Sequence, residues 1–421
     1  MRILVDNSGY ELLNIGDVAM LQTGIRRLRS QLPDAEFFVL TRDANRLKRY
    51  VGGNAVDPAS RHVWCHNRVL PIPIRNAWLS ASGKRWLLRA EDAFRLGCPR
   101  LAAFFDKRLN SNPPNHGQLD FASLVASCDM VIATGGGFLT DHFLGHANEV
   151  LMTLNLAQRL GKPTFMLGQG IGPLSCIATR KQLSRVSQNL NLIGVREDLA
   201  SLPLLAELGV SATKILCSGD DAVELAYSRR RNSVGDGIGL NLRISGYSNI
   251  SDGHITMLKH ALCNFLQERG ITSHAIPISY YPTENDAAQT SQLLNNSPHF
   301  DATIPNDEPE SIIDKIAECR LVVTASYHAG VFALSQGIPV IGLAKTKYYE
   351  HKFEGLASVF GRGCEVVSLD TPGFTEMLAR LLGDFYDNAS KMRDSLLESA
   401  KTQIAVGRGL YQQVASQALN H

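Results

Sequence analysis

The chain has 421 residues, 44% of them hydrophobic and 19% charged, enough for two globular domains with a core each. A formal net charge of +2 gives no whole-molecule signal for a polyanion, so no nucleic-acid partner is expected. No apolar run reaches the roughly 18 residues of a membrane-spanning helix. Aromatic residues are few, at 7%, and glycines number 35, the balance of an α/β protein with many tight strand-to-helix turns.

The stretch RILVDN is an apolar run ending in polar residues and reads as a buried parallel strand. MRILVDNSGYELLN is too short and too acidic for a secretory signal, so a cytoplasmic protein is expected. After the loop GYELLNIGD, VAMLQTGIRRLRSQL has apolar residues at helical spacing, and AEFFVLT is the next strand. A basic insertion without clear periodicity follows at about 55–120. Between Arg61 and Asn110 it carries ten Lys/Arg against three Asp/Glu, and it holds Trp64, Trp78 and Trp86, all the tryptophans of the chain. It reads as a solvated insertion whose tryptophans pack on the domain; the alternative is a surface for a phosphorylated or membrane-associated acceptor.

CDMVIATGGG is a strand running into a glycine turn, NEVLMTLNLAQRLGK a helix, and PTFMLGQGIGPL a strand with a second glycine loop. LIGVRED is a strand followed by a helix start, and KILCSGDDAVEL closes this series. The polar run SRRRNSVGDG reads as a linker. A second series then alternates GIGLNLRI, a helix around ITMLKHALCNFLQERG, SHAIPIS, two further helices, RLVVTAS, the helix HAGVFALSQG, and IPVIGLA. The pattern predicts an α/β fold of two Rossmann-like domains, residues 1–230 and 236–375, facing one another across a cleft, with closing helices over 376–421. The eight cysteines are scattered, with no CxxC pair and no Cys/His metal pattern, which fits a reduced protein with no metal site.

Ligands in such sheets bind at the carboxyl ends of strands, so the loops there are the candidates. NIGD contains Asn14 and Asp17, and Asp17 either caps the first helix or meets a ligand. TGGG supplies Gly135, Gly136 and Gly137, and GQGIGP, which contains Gln169, supplies a second glycine loop. Together they make a floor that side chains do not fill. Neither loop is GxGxxG, and no Walker lysine follows. Arg196 in VRED and Arg243 in NLR each stand at a strand end, which implies an anionic substrate, carboxylate or phosphate; an ion pair of Arg196 with Asp198 or Asp220 is the competing reading. Asp220, in SGDDA, either orients Arg196 or a substrate hydroxyl, or caps a short helix.

His328 falls in the first turn of a helix at a strand end, facing the cleft, with Ser326 as the N-cap. A histidine there can donate a proton when an anion is bound; packing in the core is the alternative. Lys345, Lys347 and Lys352 follow the next strand and add positive charge near the same mouth.

NIGD, ATGGGFL, GQGIGP, VRED, SGDDA and SYHAGVFALSQGIPVIGL together resemble the polysaccharide pyruvyltransferase family, in order and over most of the chain outside the basic insertion. The resemblance implies a GT-B-like arrangement and transfer of a pyruvyl group from phosphoenolpyruvate, as co-substrate and with no cofactor, to hydroxyls of a saccharide, forming a ketal. The basic, Trp-bearing insertion adds the expectation of a lipid-linked acceptor met by peripheral contact at the inner face of the membrane, and the oligomeric state stays open. The resemblance makes His328 the functional histidine and Arg196 an anion-binding arginine. A second family arginine lies two residues before the histidine. Here that position is Ser326, which leaves donor binding to Ser326 together with Arg243, Lys345 or Lys347. Asn14, Asp17, the three glycines, Gln169 and Asp220 are the expected acceptor and loop contacts. Two other functions fit the same architecture: a glycosyltransferase using a nucleotide sugar, and a non-catalytic sugar-phosphate binding protein.

Overall fold

The computed structural model describes residues 1–61, 121–243, 251–294, 299–301 and 303–420, with scattered positions between 90 and 104. Most of the basic insertion, with Trp64, Trp78 and Trp86, lies outside the described residues.

The first lobe holds β1 (Arg2–Asp6), α1 (Ile15–Gln31), β2 (Glu36–Leu40), α2 (Ala44–Tyr50), β3 (Asn54–Val56), α3 (Phe121–Ser127), β4 (Met130–Ala133) and β5 (Gly136–Leu139). It continues with α4 (Leu144–Arg159), β6 (Thr164–Ile171), α5 (Ile177–Gln188), β7 (Leu192–Val195), α6 (Ser201–Glu207), β8 (Ile215–Cys217) and α7 (Ala222–Ser228). Its sheet is parallel, in the order β3-β2-β1-β4-β6-β7-β8, with β5 also paired to β6. All eight residues of β6 are buried, as a strand covered on both faces requires. The expected glycine turn after β4 is itself partly β5, because Gly136 pairs with Gln169.

The second lobe is built from β9 (Gly237–Asn241), α8 (Asp252–Arg269), β10 (Ser273–Ala275), the hairpin β11 (Tyr280–Tyr281) and β12 (Glu284–Asn285), α9 (Asp286–Leu294) and β13 (Phe300–Asp301). Then come α10 (Pro309–Ile316), β14 (Cys319–Thr324), α11 (Tyr327–Ser335), β15 (Val340–Ala344), α12 (Lys347–Phe360) and β16 (Cys364–Ser368). Its parallel sheet runs β13-β10-β9-β14-β15-β16. Numbered within the lobe this is 3-2-1-4-5-6, the doubly wound order whose ligand crevice lies between the first and fourth strands. That crevice is flanked by the ends of β9 and β14, which lead into Arg243 and His328.

Where closing helices are expected, one helix of 46 residues, α13 (Phe374–Leu419), runs without a break. Leu378, Leu382 and Phe385 pack with Leu240, Val323 and Leu343 of the second sheet. Leu396 and Ala400 join the core around Phe332, and Leu410, Tyr411 and Val414 pack with Val5, Leu21 and Phe37 of the first sheet. The lobes also meet at main-chain level: Ile15 N–H donates to the Ile278 carbonyl at 2.9 Å and Tyr280 N–H to the Leu13 carbonyl at 2.9 Å.

Arg61, counted above with the basic insertion, is not surface charge. It is fully buried, 2.8 Å from Asp6 and 3.0 Å from Glu149, and donates to the Tyr10 hydroxyl at 2.6 Å. The insertion is therefore anchored at the end of β1 by an ion pair whose loss would strand a buried charge. Among the described residues no helix is long and apolar enough to cross a membrane.

Candidate functional site

β14 ends at Thr324, and the Thr324 hydroxyl accepts the Ser326 amide at 2.8 Å, which fixes the turn. Ser326 has the extended N-cap backbone, φ −103° and ψ 125°, yet its hydroxyl makes no capping bond and is buried without a partner. Every residue of α11 is buried, and His328 keeps only 7% of its surface open, toward a cavity of about 310 Å³ between the lobes.

Arg196, after β7, reaches the same cavity from the first lobe. Its guanidinium lies 4.1 Å over the ring of Tyr327 and 3.6 Å from Asp220 Oδ2. His328 Nε2 is also 3.6 Å from that oxygen. Histidine and arginine thus share one carboxylate, at ion-pair distance rather than hydrogen-bond distance. Burial raises the carboxyl of Asp220, but His328, Arg196 and the Ala222 amide outweigh it and hold the group below the usual carboxylate range.

Because its folded-state value is depressed, Asp220 contributes stability that is present above the unfolded carboxyl pKa of about 3.9 and lost as pH falls through the folded value. Asp220→Asn should be less stable than wild type at neutral pH by about 1–3 kcal/mol. In urea unfolding the gap should narrow in acid; a gap of the same size at every pH would show that the carboxylate charge contributes nothing.

The glycine loops do make a floor, but part of it is occupied by Arg196. A Cβ on Gly137 would lie 2.7 Å from Arg196 Nη2 and 3.1 Å from Lys352 Nζ, and one on Gly170 2.6 Å from Arg196 Nε. Lys352, on α12, makes no hydrogen bond or ion pair among the described residues. Its ammonium sits 4.1 Å over the Tyr348 ring. Burial, Arg196 and Arg243 hold it well below the usual lysine range. Arg243 also lines the cavity, its guanidinium held by Asp286 at 3.2 and 3.3 Å. Asp286 accepts in addition from the Asn241 side chain and from the amides of Ile278 and Ser279, so it ties the end of β9 to the segment that meets the first lobe.

Of the residues singled out in the sequence, His328, Arg196, Arg243, Ser326, Asn14, Asp17 and Gly137 line this cavity. Asn14, not Asp17, caps α1, accepting the Gly16 amide at 3.1 Å and the Asp17 amide at 3.4 Å. Six expectations need correction. Gly135 packs against the Gly168 carbonyl and Met20, and Gly136 against Ser8 and Phe138. Gln169 is fully buried in the sheet and donates to the Thr134 carbonyl. Lys345 turns to Asp370, and Lys347 is solvent-exposed and pairs with Glu350 at 2.5 Å. Asp220 does not line the cavity, so it is no acceptor contact; it stands behind His328 and Arg196, as its reading as the partner of Arg196 expects.

Lys352, one of the three lysines expected near the mouth, lines the cavity too; the signal that separates it is the i, i+4 spacing from Tyr348, which puts both on one face of α12. Other residues of the site were not picked out. His146, on α4, also lines the cavity. Gly16 had no signal beyond being a glycine in NIGD: a Cβ there would lie 1.9 Å from Cγ of His328, more than 300 residues away in the chain.

Two parallel Rossmann-like sheets with a polar cleft between them define a GT-B-type architecture. Solved structures agree on the fold. A UDP-GlcNAc 2-epimerase from Neisseria meningitidis bound to UDP-GlcNAc matches with a TM-score of 0.54 at 11% identity, covering 97% of this chain and 100% of the other. The UDP-GlcNAc 2-epimerase from Methanocaldococcus jannaschii matches at 0.55 and 11% identity, covering 91% and 92%. A glycosyltransferase from Rickettsia africae matches at 0.54 and 11% identity, covering 99% and 98%. No curated protein matches the sequence. The polysaccharide pyruvyl transferase family model matches residues 14–345, and the chain belongs to that family. It is a transferase, and its family implies a sugar acceptor.

Proposed function

We propose that the protein transfers a pyruvyl group from phosphoenolpyruvate to saccharide hydroxyls and closes a ketal. One observation carries the reading: Arg196, Arg243 and Lys352 converge on the cavity that His328 also lines, and Lys352 makes no hydrogen bond or ion pair among the described residues. A small donor with a phosphate and a carboxylate matches these basic groups. Ser326 leaves room where the family resemblance places an arginine, and Lys352 supplies, from another element, an amine whose charged form a bound anion favours.

In this scheme His328 protonates the methylene carbon of phosphoenolpyruvate, and the adjacent carbon becomes cationic. Asp220 counters the charge of the protonated ring. A sugar hydroxyl bonds to that carbon and gives its proton to the now neutral His328, the carbon–oxygen bond to phosphate breaks, and inorganic phosphate leaves. A second hydroxyl of the same sugar bonds to the carbon in its place, loses its proton to the departing phosphate, and completes the ketal. The scheme needs no metal or other cofactor. It places the protein in the cytoplasm, at the inner face of the membrane if the acceptor is lipid-linked.

The nucleotide-sugar reading rests on the likeness of fold alone. Incubating the protein with a saccharide acceptor mixture and either phosphoenolpyruvate or UDP-GlcNAc separates the two. Release of phosphate with a mass gain of 70 Da on the acceptor, the increment of a pyruvyl ketal (about 70 from its atoms), is expected from the first. Release of UDP, or binding of either donor without turnover, would overturn the proposal.

A further inference from the structure

The cavity lining combines two chemistries. Arg196, Arg243 and Lys352 bring basic groups. Asp17, His146 and Glu284 also line it, with the rings of Phe138 and Phe143. Asp17 stands within electrostatic reach of Lys352, His146 and Tyr281. Neither its carboxylate nor the His146 ring makes a hydrogen bond among the described residues.

The His146 ring is fixed all the same. Its centroid is 4.8 Å from that of Tyr10 and 4.6 Å from that of Phe138, the latter edge-on at 87°. Its Nε2 is buried without a partner, and burial, the largest influence, keeps the ring neutral by lowering its pKa. A neutral imidazole offers one lone pair and a carboxylate several. Acceptors left without donors in a cavity cost free energy until a ligand supplies the donors, and hydroxyl groups do so without bringing charge. Apolar rings beside them suit the C–H face of a sugar ring.

We propose that the acceptor-bearing lining around His146 and Asp17 is a saccharide subsite for an uncharged glycosyl unit, with His146 and Asp17 accepting hydrogen bonds from its hydroxyls. A uronic acid would bring its carboxylate against Asp17 and Glu284 and is disfavoured there. The proposal rests on the pyruvyl-transfer reading for the basic groups and adds the kind of sugar presented to the donor.

Saturation-transfer NMR on the full chain, with methyl β-galactopyranoside and methyl β-glucuronide as probes, tests it, and calorimetry with phosphoenolpyruvate runs in parallel. Wild type should show transfer to the galactoside and little to the glucuronide. His146→Ala, and separately Asp17→Asn, should weaken the galactoside about tenfold, the loss of one or two hydrogen bonds. His146→Gln, which keeps an acceptor, should recover part of it. The affinity of both His146 variants for phosphoenolpyruvate should stay within about twofold of wild type, because Arg196, Arg243 and Lys352 are untouched. No transfer to the galactoside in wild type, equal or stronger transfer to the glucuronide, or a galactoside signal indifferent to His146→Ala and Asp17→Asn would each overturn the subsite. Failure of phosphoenolpyruvate to bind wild type would instead overturn the donor reading and is read in the separate calorimetric arm.

Discussion

Replacing His328 by alanine is expected to reduce turnover by about 10²–10⁴-fold, the usual cost of a lost general acid. The ring lines the cavity, opens 7% of its surface to it, and has Asp220 3.6 Å behind Nε2. Its removal leaves Arg196, Arg243 and Lys352 in place, so the affinity for phosphoenolpyruvate should change far less than kcat. Initial rates of phosphate release set beside calorimetric affinity make the comparison. A variant that binds the donor and turns over at a near-normal rate would take His328 out of the mechanism.

Gly16→Ala should be nearly as damaging, although residue 16 carries no chemistry. The added methyl would sit 1.9 Å from Cγ of His328 and 2.1 Å from Nδ1, well inside contact distance. Retreat of the first turn of α1, which holds Gly16, is opposed by the main-chain bonds between Ile15 and Ile278 and between Tyr280 and Leu13, so the imidazole has to move. Displacement of a reacting group by about 1 Å can cost roughly 10²-fold. The double variant Gly16→Ala/His328→Gly distinguishes a steric cause from a general loss of fold. It removes the ring and also the His328 Cβ, which would lie 2.5 Å from the added methyl, so the methyl has space and thermal stability should return toward that of His328→Gly alone. A Gly16→Ala protein with normal turnover would mean that the ring need not occupy its present place.

The sheets were legible in the sequence because strands covered on both faces are runs of apolar residues with polar ends; RILVD and TFMLGQGI are both almost wholly buried. The same logic located His328, Arg196 and Arg243, since a charged residue just past a buried strand has only the crevice to occupy. It could not sort Lys345, Lys347 and Lys352. Which lysine faces inward depends on where α12 begins, and a shift of one residue turns the helix by about 100°. The glycine loops misled in part for a related reason: Gly135 and Gly136 make room for neighbouring main chain and side chains, whereas Gly137 and Gly170 make room for Arg196. Pairwise placement, as between Gly16 and His328 across the cleft or Asp17 and His146 within the first lobe, is a property of tertiary packing and leaves no local pattern.

The long C-terminal helix has a consequence for how the polypeptide matures on the ribosome. Leu410, Tyr411 and Val414 belong to the same apolar cluster as Val5, Leu21 and Phe37, and the Tyr411 hydroxyl donates to Asp221 at 2.7 Å. The earliest part of the nascent chain therefore keeps a greasy flank uncovered until some four hundred residues have been translated, about 20–80 s at ordinary elongation rates. During that interval it is a client for holdase chaperones, and an N-terminal half expressed by itself would carry the same open flank permanently.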